Sequence, residues 1–156
     1  AMDSDEFYTF DQFLYMKDTI KEGNYDSSAC QMVTYYKEAN YRLEPHEDYY
    51  VSLLFKIKPG RRYELNCPFP VLVDPTRRME YGSCKIFKRE ELEMHHMSYI
   101  RKNIGTKLRN SSASPHFNNI DKIVKYFDNW EYPQPGLMYK QNEEYVNLKK
   151  IDKLFL

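Results

Sequence analysis

The sequence predicts an α/β fold, a mixed sheet followed by C-terminal helices, and three observations carry that reading. A capped amphipathic run occupies residues 9–23. β-Prone runs follow at 28–37 and 49–57. After residue 97 the apolar spacing changes to a helical period. At 156 residues the chain is long enough for one domain, 1–156, and short for two ordinary ones.

The elements follow in order. Thr9-Phe10-Asp11-Gln12 reads as a capping box, with Thr9 as N-cap. Phe10, Phe13, Leu14 and Ile20 continue at near-helical spacing, and Gly23-Asn24 stops the helix. SACQMVTYYK (28–37) is strand-like in its Val, Thr and Tyr content, and NYRLEPHED (40–48) reads as a polar loop. YYVSLLFKI (49–57) predicts a buried strand, ended by the turn signal Pro59-Gly60. VLV in NCPFPVLVDPTRR and CKIF (84–87) add strand segments, with prolines keeping the former out of a helix. Met97, Ile100, Ile104 and Leu108 form one helical stripe, with Arg101, Lys102, Lys107 and Arg109 on other faces. Ile120, Ile123, Val124 and Phe127 predict a further helix, YPQPG (132–136) breaks it, and EYVNLKKIDKLFL closes the chain as a β-like tail.

Composition narrows the function. Hydrophobic residues at 42% and charged ones at 29% describe a globular chain, and the balance of 23 basic against 23 acidic residues disfavours nucleic acid as a partner. The aromatic content, with 15 Tyr and 9 Phe, suits contact with sugars or proteins, since a tyrosine offers an apolar face and a polar tip. Cys30, Cys67 and Cys84 show no metal spacing, and an odd count without a signal peptide points to a cytoplasmic location, free or peripheral to a membrane. The sequon Asn110-Ser111-Ser112 carries no weight without a secretory signal. No run approaches the roughly 20 apolar residues of a transmembrane helix.

Two clusters carry chemistry. In AMDSDEFYTF, Asp3 and Asp5 stand two apart with Glu6 adjoining. On an extended segment their side chains share a side, and two hard oxygen ligands suit Mn²⁺ or Mg²⁺. The plainer alternative is an acidic lead-in favouring the following helix dipole. His95 and His96 stand together ahead of the basic helix. Neighbours on a regular helix diverge by roughly 100°, so one ligand is a better expectation than two, and the plainer alternative is a partly buried histidine whose ring is satisfied by hydrogen bonds. Arg101, Lys102 and Lys107 add the cations that a diphosphate group requires, although solvated helix faces carry such charges routinely.

Taken together, MDSDEFY, VDPTRR and EMHHMSYIRKNIGTKLRNSSA resemble the catalytic half of glycosyltransferases related to family 2, which have the GT-A fold (a Rossmann-like nucleotide-diphospho-sugar transferase fold). The resemblance spans residues 2–118. It implies carbohydrate biosynthesis from a nucleotide-sugar donor onto a glycan or other hydroxyl acceptor. Asp3 and Asp5 match the D-x-D that holds the cation on the donor diphosphate, with Asp5 the preferred direct ligand. His95 or His96 would complete the metal shell, and Arg101 and Lys102 would contact the diphosphate. An inverting member also needs a carboxylate base, for which Glu47, Asp48 and Asp74 are candidates, Asp74 serving equally as a turn residue or arginine partner. Such enzymes bind the base on a segment on the order of 100 residues before D-x-D. The chain is therefore expected to be an incomplete GT-A domain lacking its N-terminal nucleotide-binding part: either the rest was cleaved, disordered or omitted, or Ala1-Met2 is a cloning remnant before a truncated piece. Weak nucleotide-sugar binding by the isolated chain follows from that expectation.

Two other classes fit the same residues. A metal-dependent phosphoesterase or nuclease would use the acids and histidines to activate water. A non-catalytic module would use the tyrosines to bind glycan or protein.

Overall fold

The computed structural model describes residues 3–74, 77–80, 82–111, 114–139 and 143–152. Ala1-Met2, Pro75-Thr76 of VDPTRR, Ser112-Ala113 of the sequon and of KLRNSSA, and residues 153–156 of the tail lie outside them. The chain divides into two compact units, Ala1–Val33 with Glu47–His96 and Thr34–His46 with Met97–Leu156. The class is α/β, as expected, with a mixed sheet and three α-helices among the described residues.

The first unit is built around β2 (Ser27–Tyr36), of which it holds Ser27–Val33. β4 (Tyr50–Phe55) pairs antiparallel with β2, placing Cys30 opposite Val51, while β5 (Cys84–Ile86) pairs parallel with it at Ser27, Ser28 and Ala29. The two-residue β1 (Glu6–Phe7) pairs antiparallel with β6 (Glu93–Tyr99), whose first four residues belong to this unit. Helix α1 (Phe10–Glu22) starts at the expected box. The Thr9 Oγ1 accepts from the Gln12 amide at 3.3 Å, and the Gln12 side chain accepts from the Thr9 amide at 3.3 Å. Its buried residue is Met16, whereas Phe10 is 73% and Phe13 38% exposed, so the apolar face lies further along the helix than Phe10 and Phe13 suggest. Met16 packs with Cys30, Val51, Leu53, Phe87, Leu92 and Met94.

The second unit holds an aromatic core. Tyr36, at the end of β2, lies 5.7 Å from Tyr99, 5.2 Å from Phe127 and 5.3 Å from Trp130 between ring centroids. β3 (Glu38–Leu43) pairs with the end of β2 and, on its other edge, with β9 (Leu148–Lys150). β7 (Gly136–Tyr139) and β8 (Glu143–Val146) form a separate hairpin. α2 (Ile104–Asn110) and α3 (Ile120–Asp128) bury Ile104, Leu108, Ile123 and Phe127 against these rings. Gly136 permits the closeness. A Cβ there would stand 3.1 Å from the Tyr36 ring and 3.2 Å from Leu148.

Two local expectations are corrected. Of the loop expected at 40–48, residues 40–43 belong to β3, because Lys37 adopts φ 64° and turns the chain straight back onto β2, and 44–48 are loop. The stripe expected to begin a helix at Met97 is split. Residues 93–99 are strand β6, and α2 begins only after Asn103, whose Oδ1 accepts from the Thr106 amide at 2.9 Å. Arg101 and Lys102 therefore precede the helix rather than ride on it.

Candidate functional site

Residues 3–6 form a turn rather than an extended run. The Glu6 amide donates to the Asp3 carbonyl at 3.2 Å, and the Asp3 amide donates to Glu6 Oε2 at 3.1 Å. The period-two argument for Asp3 and Asp5 sharing one side therefore does not apply to this segment. The turn delivers Glu6 into β1, where strand register sets Glu6 opposite His96 and Phe7 opposite His95. Opposed residues of an antiparallel pair share a sheet face, so His96 stands on the face of Glu6 and His95 on the other. Two motifs some ninety residues apart in the chain thus lie on neighbouring strands.

Arg77 closes the cluster. Its Nη2 lies 2.6 Å from Glu6 Oε1 and also pairs with Asp3 Oδ2. Glu6 is 5% exposed, and the Asp3 side chain is 68% exposed, so one acid is held inside and the other at the surface. Burial works against the Arg77 charge, but the carboxylates of Glu6 and Asp3 outweigh it and hold the guanidinium more firmly protonated. Arg77 belongs to VDPTRR, and its amide donates to the Asp74 carbonyl at 3.0 Å. Asp74 accordingly has a turn role through its backbone, while the side chain of Arg77 answers a different pair of acids.

Beside the cluster, Tyr8 Oη and Cys30 Sγ lie 3.5 Å apart. Desolvation raises both groups; Cys30 and Glu6 raise Tyr8 further, while the hydrogen bond with Tyr8 partly offsets the rise of the Cys30 thiol, which is pushed up to about 11. Both groups are neutral at ordinary pH, as a low-dielectric pocket demands. His95 is 5% exposed, and burial lowers its pKa against the opposing charge of Glu93, leaving a neutral imidazole.

The other predicted residues are placed as follows. The Glu47 carbonyl accepts from Arg89 Nη2 at 3.0 Å, Arg89 itself pairing with Glu93 at 2.6 Å. Asp48 is exposed. Asp74 lies close enough to Tyr49 to raise its hydroxyl, second to burial. In the second unit, Arg101 and Lys102 are exposed and line an open cleft of about 630 Å³ with Asn103, Thr106, Lys107 and Asn110. Lys107 Nζ donates to Ser98 Oγ. The described part of the cleft wall carries three cations and no acid.

As donors, carboxylates and an imidazole fit a hard divalent ion, and register pairs Glu6, the residue after Asp5, with His96 in the middle of β6. No group of three or more His, Cys, Asp or Glu side chains is gathered tightly enough to hold a metal among the described residues, where Arg77 already engages Asp3 and Glu6. Sequence reasoning missed Arg77 and the part played by Glu6. The partners lie about seventy residues apart, beyond any local pattern. No helix among the described residues is long and apolar enough to cross a membrane. Comparison with protein-family models, curated proteins and solved structures finds no match.

Proposed function

We propose that this chain carries the D-x-D segment of a metal-dependent glycosyltransferase of the GT-A class. Such an enzyme moves a sugar from a nucleotide-sugar donor to a hydroxyl acceptor. One observation supports this above the others: the β1–β6 register sets the acidic turn beside His96, with VDPTRR contributing Arg77 to the same acids. Those three stretches are the ones that carry the family resemblance.

Asp5 and His96 are the ligands this reading favours, with Asp3 joining them once it leaves Arg77. Held by these residues, Mn²⁺ or Mg²⁺ would supply Lewis-acid neutralisation of the leaving diphosphate. Within the second unit, Arg101 and Lys102 suit phosphate oxygens, through charge-assisted hydrogen bonds from a cleft wall whose described part carries no acid. The acceptor proton requires a carboxylate, and Asp74, Asp48 and Glu47 remain the candidates.

The test is Mn²⁺ binding by electron paramagnetic resonance on the chain as it stands, followed by turnover of nucleotide sugars and of a plain phosphodiester. Asp5→Asn and His96→Gln are each expected to weaken Mn²⁺ binding about tenfold or more. Unchanged binding in both variants removes the metal reading. Cleavage of the phosphodiester in preference to the nucleotide sugar replaces the transferase with a phosphoesterase.

A further inference from the structure

The first unit carries an apolar projection set among cations that neither the acidic turn nor its neighbours use. Ile57, just after β4, is 98% exposed, so nearly its whole side chain faces solvent. Tyr63 at 49% and Leu65 at 61% exposure follow within eight residues. Single exposed apolar residues are ordinary, but Ile57 and Tyr63 line one shallow groove, of about 340 Å³, together with Lys56, Lys58 and Arg61. Arg62 is exposed beside them.

The loop that presents Ile57 is stapled rather than loose. Lys56 Nζ donates to Asn24 Oδ1 at 2.9 Å, and the Lys56 amide donates to the Asp26 carbonyl at 2.7 Å. Arg61 Nη1 donates to the Lys56 carbonyl at 2.6 Å and the Asp26 carbonyl at 3.3 Å, closing the turn at Pro59-Gly60, where Gly60 has φ 77°. Lys58 pairs with Asp26 at 2.6 Å while its side chain stays 45% exposed. Four cations thus surround the projection against two acids, Asp26 and Glu64.

We propose that this loop is a membrane-surface contact, in which Ile57, Tyr63 and Leu65 enter the headgroup region and the exposed Lys56, Lys58 and Arg62 face anionic lipid, while Arg61 holds the turn from inside. Three features select this occupant. A side chain exposed on nearly all sides fits a deformable interface better than a rigid cleft. A tyrosine beside aliphatic residues matches the headgroup level, where one end of the ring is apolar and the other wet. The excess of positive charge draws the loop to an anionic surface and disfavours docking against a second copy carrying the same charge.

Cosedimentation of the full chain with phosphatidylcholine vesicles, with and without phosphatidylserine, tests the proposal. Anionic vesicles are expected to bind the chain more strongly, by about fivefold for each cation that reaches the surface, and added salt should erase the difference. Ile57→Ser removes an exposed side chain without touching the core and should weaken binding several-fold on anionic vesicles. Arg62→Glu should weaken it further, with the circular dichroism spectrum of both variants unchanged. Equal binding to neutral and anionic vesicles overturns the proposal. So does wild-type affinity in both variants, or self-association through the loop in place of lipid binding.

Discussion

The two units bury different things, and the contrast separates stability from chemistry. The second unit closes over rings: Tyr36, Tyr99, Phe127 and Trp130 meet one another at 5.2–6.5 Å, with hydroxyl and indole groups bonded to backbone carbonyls. The first unit sets the ring of Phe87 among aliphatic and sulfur side chains, and beside them encloses Glu6, Ser27, Ser28, Ser52 and His95. Burying charge and hydroxyl groups gains little stability compared with burying rings, and breaking such groups singly is costly. The polar interior of the first unit is therefore the part of the molecule that folding alone explains least.

The largest expected effect falls on the aromatic side. Phe127→Ala leaves a void beneath Tyr36 and should cost about 3–5 kcal/mol in urea denaturation, read by the fluorescence of Trp130, the single tryptophan. A loss under about 1 kcal/mol would place the weight of this core elsewhere. Next comes Glu6→Gln, which strips Arg77 of its buried partner and should cost about 3 kcal/mol. Asp3→Asn removes the exposed partner of the same guanidinium and should cost less than about 1 kcal/mol. Equal losses in the two variants would mean that burial does not distinguish the acids.

The units also differ in base. The folded Cys30 thiol keeps its proton to about 11, above its unfolded value of 9.0. Its contribution is thus complete below pH 9 and lost as pH rises toward 11. In the second unit Tyr36, raised by burial from 10.0, adds its loss only above pH 10. Chemical denaturation across this range should show an earlier alkaline decline that Cys30→Ala flattens, and a decline unaltered by that change would assign it to another group. The smallest effect is expected at Arg109–Asp121, 2.6 Å apart but 55% and 91% exposed. Asp121→Asn should shift stability by at most about 0.5 kcal/mol, with the shift vanishing in high salt.

What was legible in the sequence depended on how local the cause was. α1 and its cap, the core of β2, β4, β5 and α3 could be read because capping side chains, β-branched runs and 3.6-residue periods act over a few residues. β3 could not be read, since its pairing with β9 joins Leu43 to Leu148, a hundred residues on. β6 was mistaken for helix because Met97, Ile100, Ile104 and Leu108 keep a helical interval by accident across a strand, a turn and a cap. At the site, the acids and histidines stood out by type, yet the turn at Asp3–Glu6 and the clamp by Arg77 depend on long-range contacts that spacing does not encode.

Lys37 carries a last consequence. Its left-handed backbone would suit glycine or asparagine, and a lysine there costs about 1 kcal/mol. Its Nζ, however, donates to the Phe127 carbonyl at 2.8 Å and lies 4.5 Å from the centre of the Phe127 ring. A hairpin corner thus doubles as the cap of a helix ninety residues later. At such a position, substitution tables built on turn preference rank the residues in the wrong order. In a saturation library, glycine should relieve the corner and loosen the helix end together, so its net score would understate two opposing effects.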